Sequence, residues 1–251
     1  MGWDVGISDA ELQMLSEGNV IGEGGVNALT DVLHIQPTPL DDGLRALSDL
    51  QPEQPPAQGI GSLKKKRFWA DIVDTPQSPE ALFVTFREHF NDVTPVFVEV
   101  GPEAHEESTI DEGRTITLAL PMRGHVQVRV VELDERHVTL ITLTGHPLAG
   151  AVRFLCEQRG AAVRFQIEVF DRAANLIDLI AMRTIGDFLQ NRTWEKVVEK
   201  MIERSGGNAP RGIEHDVESM SDEEATLINT WLDDLVVERM RAENAEKIRE
   251  G

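Results

Sequence analysis

The stretch that most constrains the fold is residues 171–204, which contain no proline and only one glycine. Its apolar residues recur every three or four positions, and charged residues occupy the opposite side. This is the period of an amphipathic helix, and Gly206 and Gly207 supply a stop. A helix of that length spans ~50 Å at ~1.5 Å per residue. The chain must therefore provide an extended surface for the apolar side.

Six segments before this helix alternate apolar and polar residues, which is typical of strands in a sheet that buries one face. They cover about residues 96–100, 115–120, 126–130, 138–143, 152–156 and 163–169. Their short connections indicate an antiparallel meander. We predict an α+β fold, a curved antiparallel sheet of about six strands wrapped around a long C-terminal helix. Such an arrangement encloses a cavity between sheet and helix.

Two other segments carry helix-capping signals. Ser78 is a suitable N-cap for a helix that runs to about residue 91. Ser221 and Glu224 form the pattern of a capping box for a last helix over 221–248. The apolar stripe of this last helix includes Trp231, Leu232 and Leu235. Because exposure of such a stripe is costly, we expect it to bind the main domain, a second copy or another protein.

Composition divides the chain into three parts: an acidic N-terminal segment (1–62) with short helices and a proline-rich linker, a central domain (63–207), and a linker with an acidic helix (208–251). Residues 1–62 hold ten acidic residues and one basic residue, and residues 213–251 hold twelve and four, within a net charge of -20. The acidic flanks either keep the protein in solution or dock on a basic partner. This balance argues against nucleic-acid binding. The one basic run, residues 64–67, is interpreted as a solvated domain edge that could also pair with the acidic flanks.

The compartment is predicted from absences in the sequence. No run of about eighteen apolar residues indicates a membrane span, and the first residues lack a secretion signal. The single cysteine, Cys156, excludes an internal disulfide. A cytoplasmic protein is the simplest interpretation.

Candidate chemistry is sparse. The histidines are dispersed and no metal-ligand spacing occurs, so we predict no catalytic residue, no metal and no cofactor. Cys156 alternates with Phe154 on an apolar face, which indicates a buried, inert thiol. His146 is either a general base at a cavity mouth or a cap of the turn before Pro147. The polar strand residues are expected on the solvent side, although they would form a ligand-binding set if the polar face lined the cavity. They are Arg123, His125, Arg129, Arg164 and Glu168.

The order of helix, strands and long final helix resembles the START-like (helix-grip, SRPBCC) superfamily, which includes lipid-transfer domains and aromatase/cyclase proteins. The segments that carry the resemblance are residues 120–124, 145–150 (Gly-His-Pro-Leu-Ala-Gly), Phe154 and residues 163–170. They look like an uncharacterised bacterial and plant branch of the superfamily. In that branch acidic residues follow the Gly-His-Pro segment, whereas Ala151 and Val152 stand here. The resemblance covers about residues 68–206 and implies a pocket for an apolar or amphipathic ligand.

Three functions follow from this interpretation. The first is a non-catalytic protein that binds a hydrophobic or amphipathic small molecule. The second is an interaction protein whose acidic flanks dock a partner, or which pairs with a second copy through Trp231, Leu232 and Leu235. The third is a cyclase- or dehydratase-like enzyme. The residues predicted to line the ligand site are Phe154, Phe165, Ile167, Ile177, Ile180, Ile185, Phe188, Leu189 and His146.

Overall fold

A computed structural model describes residues 52–94, 98–99, 110–120, 124–175 and 187–250. Its elements follow the order β1, α1, α2, β2–β7, α3, β8 and α4. Their bounds are β1 Ile60–Ile72, α1 Pro79–Glu88, α2 Phe90–Val93, β2 Val98–Glu99, β3 Thr115–Leu120, β4 Gly124–Leu133, β5 His137–Thr142, β6 Leu148–Arg159, β7 Ala162–Ala173, α3 Asp187–Ser205, β8 Glu214–Ser219 and α4 Asp222–Glu250.

The strands form one antiparallel sheet in the order β2-β3-β4-β5-β6-β7-β1-β8. We call the face that carries Phe68, Phe154 and Phe165 the inner face, because α1, α2 and α3 pack against it. The opposite side is the outer face. A curved antiparallel sheet that holds a C-terminal helix on one face is the helix-grip arrangement, so the predicted α+β fold is confirmed.

The strand count differs from the prediction because the charged residues of two further strands concealed them in the sequence. The predicted six correspond to β2–β7, and the sheet gains β1 and β8 on the far side of β7. In β1 the basic run replaces apolar residues, and carboxylates on the neighbouring strands supply the counter-charges. The segment 208–219, predicted to be a polar linker, contains β8, whose Asp216 and Glu218 pair with Arg67 of β1.

The long helix is shorter at its N-terminal side than predicted. Residues 171–173 belong to β7, where they continue the pairing with β1 and β6. The described helix α3 begins at Asp187 and ends at Ser205, and Gly206 follows with a φ of 70°. Residues 176–186 lie outside the described part of the chain.

Both capping predictions are confirmed. The Ser78 hydroxyl accepts a hydrogen bond from Ala81 N at 3.2 Å. At the start of α4, Ser221 N donates to Glu224 Oε2 at 2.8 Å, and Glu224 N donates to the Ser221 hydroxyl at 3.3 Å. These are the reciprocal bonds of a capping box.

The outer face is not left to solvent. Helix α4 lies across it, with Leu232 and Leu235 packed on Val131, Ile141 and Ala151. A second contact joins Ala225 of α4 to Leu63 and Phe170. The expectation of a single buried face was therefore wrong, because α4 covers the middle of the other one.

Candidate functional site

The space between the sheet and the helices contains a cluster of aromatic rings. Phe86 of α1 lies at the centre, with its ring centroid 4.7 Å from Phe154 and 5.4 Å from Phe165. Trp194 of α3 meets Phe154 edge to face at 5.9 Å. All four side chains are buried. At this end of the sheet the interior is filled by side chains.

Apart from His146, the predicted lining residues fall into three groups. Phe154, Phe165 and Ile167 lie together in the core on the inner face, as the alternation indicated. Phe188 and Leu189 lie in the first turn of α3. Ile177, Ile180 and Ile185 lie outside the described residues. The structure therefore brings three of the predicted residues together.

The inner face has an apolar wall beyond the aromatic cluster. On this face the described helices α1 and α3 lie mainly over β1, β6 and β7. The inner side chains of the next three strands continue the same core cluster towards the other edge of the sheet. They are Ile116, Leu118, Val126, Val128, Val130, Val138 and Leu140.

One ion pair interrupts this apolar interior. Lys66 Nζ lies 3.2 Å from Asp171 Oδ2, and the two side chains are 1% and 2% exposed. The alternation in β1 and β7 places both on the inner face, beside Phe68 and Val169. Sequence reasoning missed this pair because it treated residues 64–67 as one exposed run. The signal was the alternation of Lys66 with Phe68 and Ala70.

His146 caps a turn. Leu148 N donates to His146 Nδ1 at 3.0 Å, and the side chain is buried. Of the two interpretations of His146, the described contacts match the turn cap. The same turn receives an incoming segment, since Gln54 Nε2 donates to the carbonyl oxygens of His146 and Leu148, both at 3.1 Å.

Gly150 is the last residue of the Gly-His-Pro-Leu-Ala-Gly segment, and steric contacts require a glycine at this position. A Cβ atom at this position would lie 2.1 Å from the carbonyl oxygen of Phe170. Its N–H donates to Gln54 O and lies 3.0 Å from the Thr142 hydroxyl. The segment that carries the family resemblance therefore serves as a dock for Gln54.

The outer face holds a second buried polar group. Glu53 Oε1 accepts from Arg129 Nη1 at 2.7 Å and from Arg239 Nη2 at 2.8 Å. Arg129 Nε also donates to the Thr115 hydroxyl at 3.2 Å. The expectation that Arg129 faces solvent was wrong, because the segment before β1 and helix α4 enclose it. Arg164 and Glu168 are half-buried on the same face.

A surface depression of about 500 Å³ lies beside the turn between β4 and β5. At its edge His137 stands between two carboxylates, with Nδ1 2.7 Å from Asp134 and Nε2 2.9 Å from Glu132. Burial raises the pKa of Glu132, but hydrogen bonds from His137 and Thr139 outweigh it, and the net shift of this pKa is downward. Arg153 also lines the depression, with its guanidinium over the Trp231 ring at 5.4 Å.

Cys156 also lines the depression, but the residue is 1% exposed and packs in the inner core. Burial raises the pKa of its thiol well above the ordinary range. Since the thiolate is the reactive form, this thiol is unsuited to nucleophilic chemistry.

Within the described ranges, no group of three or more His, Cys, Asp or Glu side chains is placed to hold a metal ion. No helix in that part of the chain combines the length and apolar character needed to cross a membrane.

Comparison with protein families gives one match. Residues 90–200 match the model described as a domain of unknown function (DUF1990). This stretch, less than half of the chain, begins at α2 and ends within α3, so it excludes β1, β8 and α4. No match is found among curated proteins.

The chain is similar to several solved structures at low sequence identity. The ginseng major latex-like protein 151 from Panax ginseng is 11% identical, with a TM-score of 0.40 over 58% of this chain and 99% of that one. A START superfamily protein from Mycobacterium smegmatis is 12% identical, with a TM-score of 0.39 over 58% and 98%. XoxI from Bacillus cereus is 12% identical, with a TM-score of 0.38 over 57% and 98%. The chain's own strand order and helix placement confirm the START-like resemblance at the level of the fold.

Proposed function

We propose that this protein is a non-catalytic binding protein that holds a hydrophobic or amphipathic small molecule between α3 and the inner face of the sheet. The observation that carries the proposal is the apolar wall of β3, β4 and β5, which lies beyond the aromatic cluster. Ile116, Val128 and Leu140 represent the three strands of this wall. A ligand seated there gains from removal of its apolar surface from water at ~25 cal/mol per Å².

The buried ion pair supports the amphipathic part of the proposal. Lys66 and Asp171 provide the inner face with one charged donor and one charged acceptor. Sites for small molecules are mostly apolar and carry a few placed polar groups that orient the ligand. The predicted residues Ile177, Ile180, Ile185, Phe188 and Leu189 form the opposite wall in this proposal. A cytoplasmic location belongs to the same proposal.

The test uses the full chain in two steps. Native mass spectrometry of the purified protein is expected to show a bound small molecule. Titration with 8-anilino-1-naphthalenesulfonate, an amphipathic probe, is expected to give saturable binding with one site per chain.

A matched pair of variants locates the site. Val128→Phe adds volume on the inner wall, whereas Val131→Phe adds the same volume on the outer face beneath α4. Both overpack a buried position and cost about 1–3 kcal/mol. Val128→Phe is expected to abolish probe binding, and Val131→Phe is expected to retain it. Equal probe binding by both variants, or no saturable binding by the parent protein, overturns the proposal.

An interaction protein remains the alternative function. In the structure Leu232 and Leu235 are buried on the chain's own sheet, and Trp231 is half-buried against Phe170 and Arg153. A second copy would therefore have to replace these intramolecular contacts. Light scattering of the full chain tests this alternative, and a dimer would favour it. A cyclase- or dehydratase-like activity remains a third prediction.

A further inference from the structure

Glu53 lies where three separate parts of the chain meet. Its Oε1 atom binds Arg129 of β4 and Arg239 of α4, at 2.7 and 2.8 Å. The side chains of Glu53, Arg129 and Arg239 are only 13%, 9% and 6% exposed. Ion pairs shielded from water in this way are strongly distance-dependent, and loss of one partner is costly to the group that remains buried. We call this arrangement the Glu53 clamp.

The neighbouring residue fastens the same segment to the sheet. Gln54 N donates to Thr142 O at 2.7 Å, and Gly150 N donates to Gln54 O at 3.0 Å. Just before the clamp, Pro52 O accepts from Thr144 N at 3.0 Å. The turn between β5 and β6 and the outer-face clamp are thus joined through adjacent residues of one short segment.

The clamp also lies at the distal end of the docked part of α4. Leu235 packs on the apolar strip formed by Val131, Ile141 and Ala151, and Arg239 follows one turn later. A helix held by apolar contacts alone is tolerant of sliding, whereas a guanidinium that must reach one carboxylate fixes its position. The contacts of α4 thus include one to a residue that precedes β1.

We propose that residues 52–54 and α4 form one cooperative unit, in which α4 is a strap over the outer face that stays closed only while Glu53 is in place. Release of either element opens the other, because the carboxylate is their common partner. Opening uncovers the strip of Val131, Ile141 and Ala151 and loosens the turn at residues 143–150 in the same event. The device acts on the outer face and does not depend on a ligand at the inner face.

The test is residue-resolved amide hydrogen exchange on the full chain. The reporters are the amides of Thr144 and Gly150, which donate to Pro52 and Gln54, and those of Leu232 and Leu235 in α4. Arg239→Met is expected to accelerate exchange of Thr144 and Gly150 at least tenfold, although Arg239 lies in a different element. Glu53→Gln is expected to accelerate exchange of Leu232 and Leu235 to a similar extent.

Three controls separate coupling from general destabilisation. The amides of Val197 and Met201 in α3 are expected to keep their rates within threefold. Glu218→Gln removes an exposed partner of Arg67 just before α4, and it is expected to leave all four reporters within threefold. The double variant Glu53→Gln, Arg239→Met is expected to accelerate the reporters no more than either single variant does.

The proposal is overturned if amide exchange accelerates only in the element that carries the substitution. It is also overturned if the double variant accelerates exchange by the sum of the two single effects. If Glu53→Gln fails to fold, Arg239→Leu takes its place, because it removes the guanidinium that donates to Glu53 and leaves Glu53 paired with Arg129. The same criterion applies: faster exchange at Thr144 and Gly150 supports the coupling, and unchanged rates refute it.

Discussion

Lys66 Nζ lies 3.2 Å from Asp171 Oδ2 on the inner face of the sheet, and neither side chain reaches solvent. Burial of two charged groups costs several kcal/mol for each before their attraction is counted, so such a pair contributes little net stability. The pair instead discriminates between strand registers, since a shift of β1 by one residue would carry Lys66 away from the Asp171 carboxylate. The pair therefore favours the observed register of β1 against β7.

A pH dependence is expected from Asp71 on the outer face of β1. Arg164 binds both of its carboxylate oxygens, at 2.7 and 2.9 Å, and Arg211 pairs with it as well. The hydrogen bond from Arg164 is the largest cause that holds the pKa of Asp71 below its ordinary value of 3.8. We expect Asp71→Asn to lower the free energy of unfolding at pH 7 by ~2 kcal/mol in urea denaturation.

The sign of the pH effect follows from the lowered pKa. A carboxylate whose pKa is lower in the folded state stabilises the protein fully above its unfolded pKa, and this contribution is lost as the pH falls through the folded value. The difference in the free energy of unfolding between the parent protein and Asp71→Asn should stay constant from neutral pH down to about pH 5. It should shrink below pH 3.8. Asp111→Asn, an exposed carboxylate, should change stability by less than ~0.5 kcal/mol. A difference that persists at the acid end would contradict the expectation.

The aromatic cluster gives the largest expected loss of stability. Phe154 contacts the rings of Phe86, Phe90 and Trp194 at 4.7, 6.2 and 5.9 Å. Phe154→Ala leaves a cavity among these rings and should lower the free energy of unfolding by ~4 kcal/mol in urea denaturation. Leu155→Ala, on the half-buried outer side of the same strand, should cost about 1 kcal/mol. Similar losses of unfolding free energy in the two variants would show that Phe154 does not lie in the core.

Gly150 should not accept a side chain. Gly150→Ala places Cβ 2.1 Å from the carbonyl oxygen of Phe170, which is backbone of the neighbouring strand and cannot move without disturbing the pairing. We expect a loss of at least ~3 kcal/mol in thermal or urea unfolding. Gly160→Ala is the comparison, because its φ of 62° is unfavourable but no atom lies within 4 Å. It should cost about 1–2 kcal/mol.

Cys156 should react with thiol reagents only after unfolding. The residue is 1% exposed, and burial raises the pKa of its thiol. Reaction with 5,5′-dithiobis(2-nitrobenzoic acid) at pH 8 should be at least a hundredfold slower in the native protein than in concentrated urea. Rapid modification of native protein, detected by absorbance, would show that the inner core opens at this position.

Sequence patterns predicted the parts of the fold that depend on local periodicity. The alternation in β3–β7 and the caps at Ser78 and Ser221 rest on contacts within a few residues. The order of elements also came from these patterns, and the family resemblance was inferred from that order. Phe154, Phe165 and Ile167 were placed on the inner face by the alternation in β6 and β7.

The errors in the sequence-based predictions came from ion pairs whose two residues lie far apart in the chain. Lys66 and Asp171 are 105 positions apart, and Glu53 and Arg239 are 186 apart. Each of these residues looks like a solvent-exposed charge when it is considered alone. β1 was missed for the same reason, since its cations become compatible with a central strand only when Glu168, Asp171 and Asp216 face them.

Strand β8 is an acidic edge strand of the sheet. β1 is paired on both sides, and the boundary on this side of the sheet is formed by a strand that carries Glu214, Asp216 and Glu218. Unpaired backbone groups at a sheet margin invite the strands of other molecules, and charged side chains there discourage such stacking. Two copies that approach along β8 would bring like charges together. This margin therefore favours separate molecules in a crowded solution, and high salt should weaken that protection.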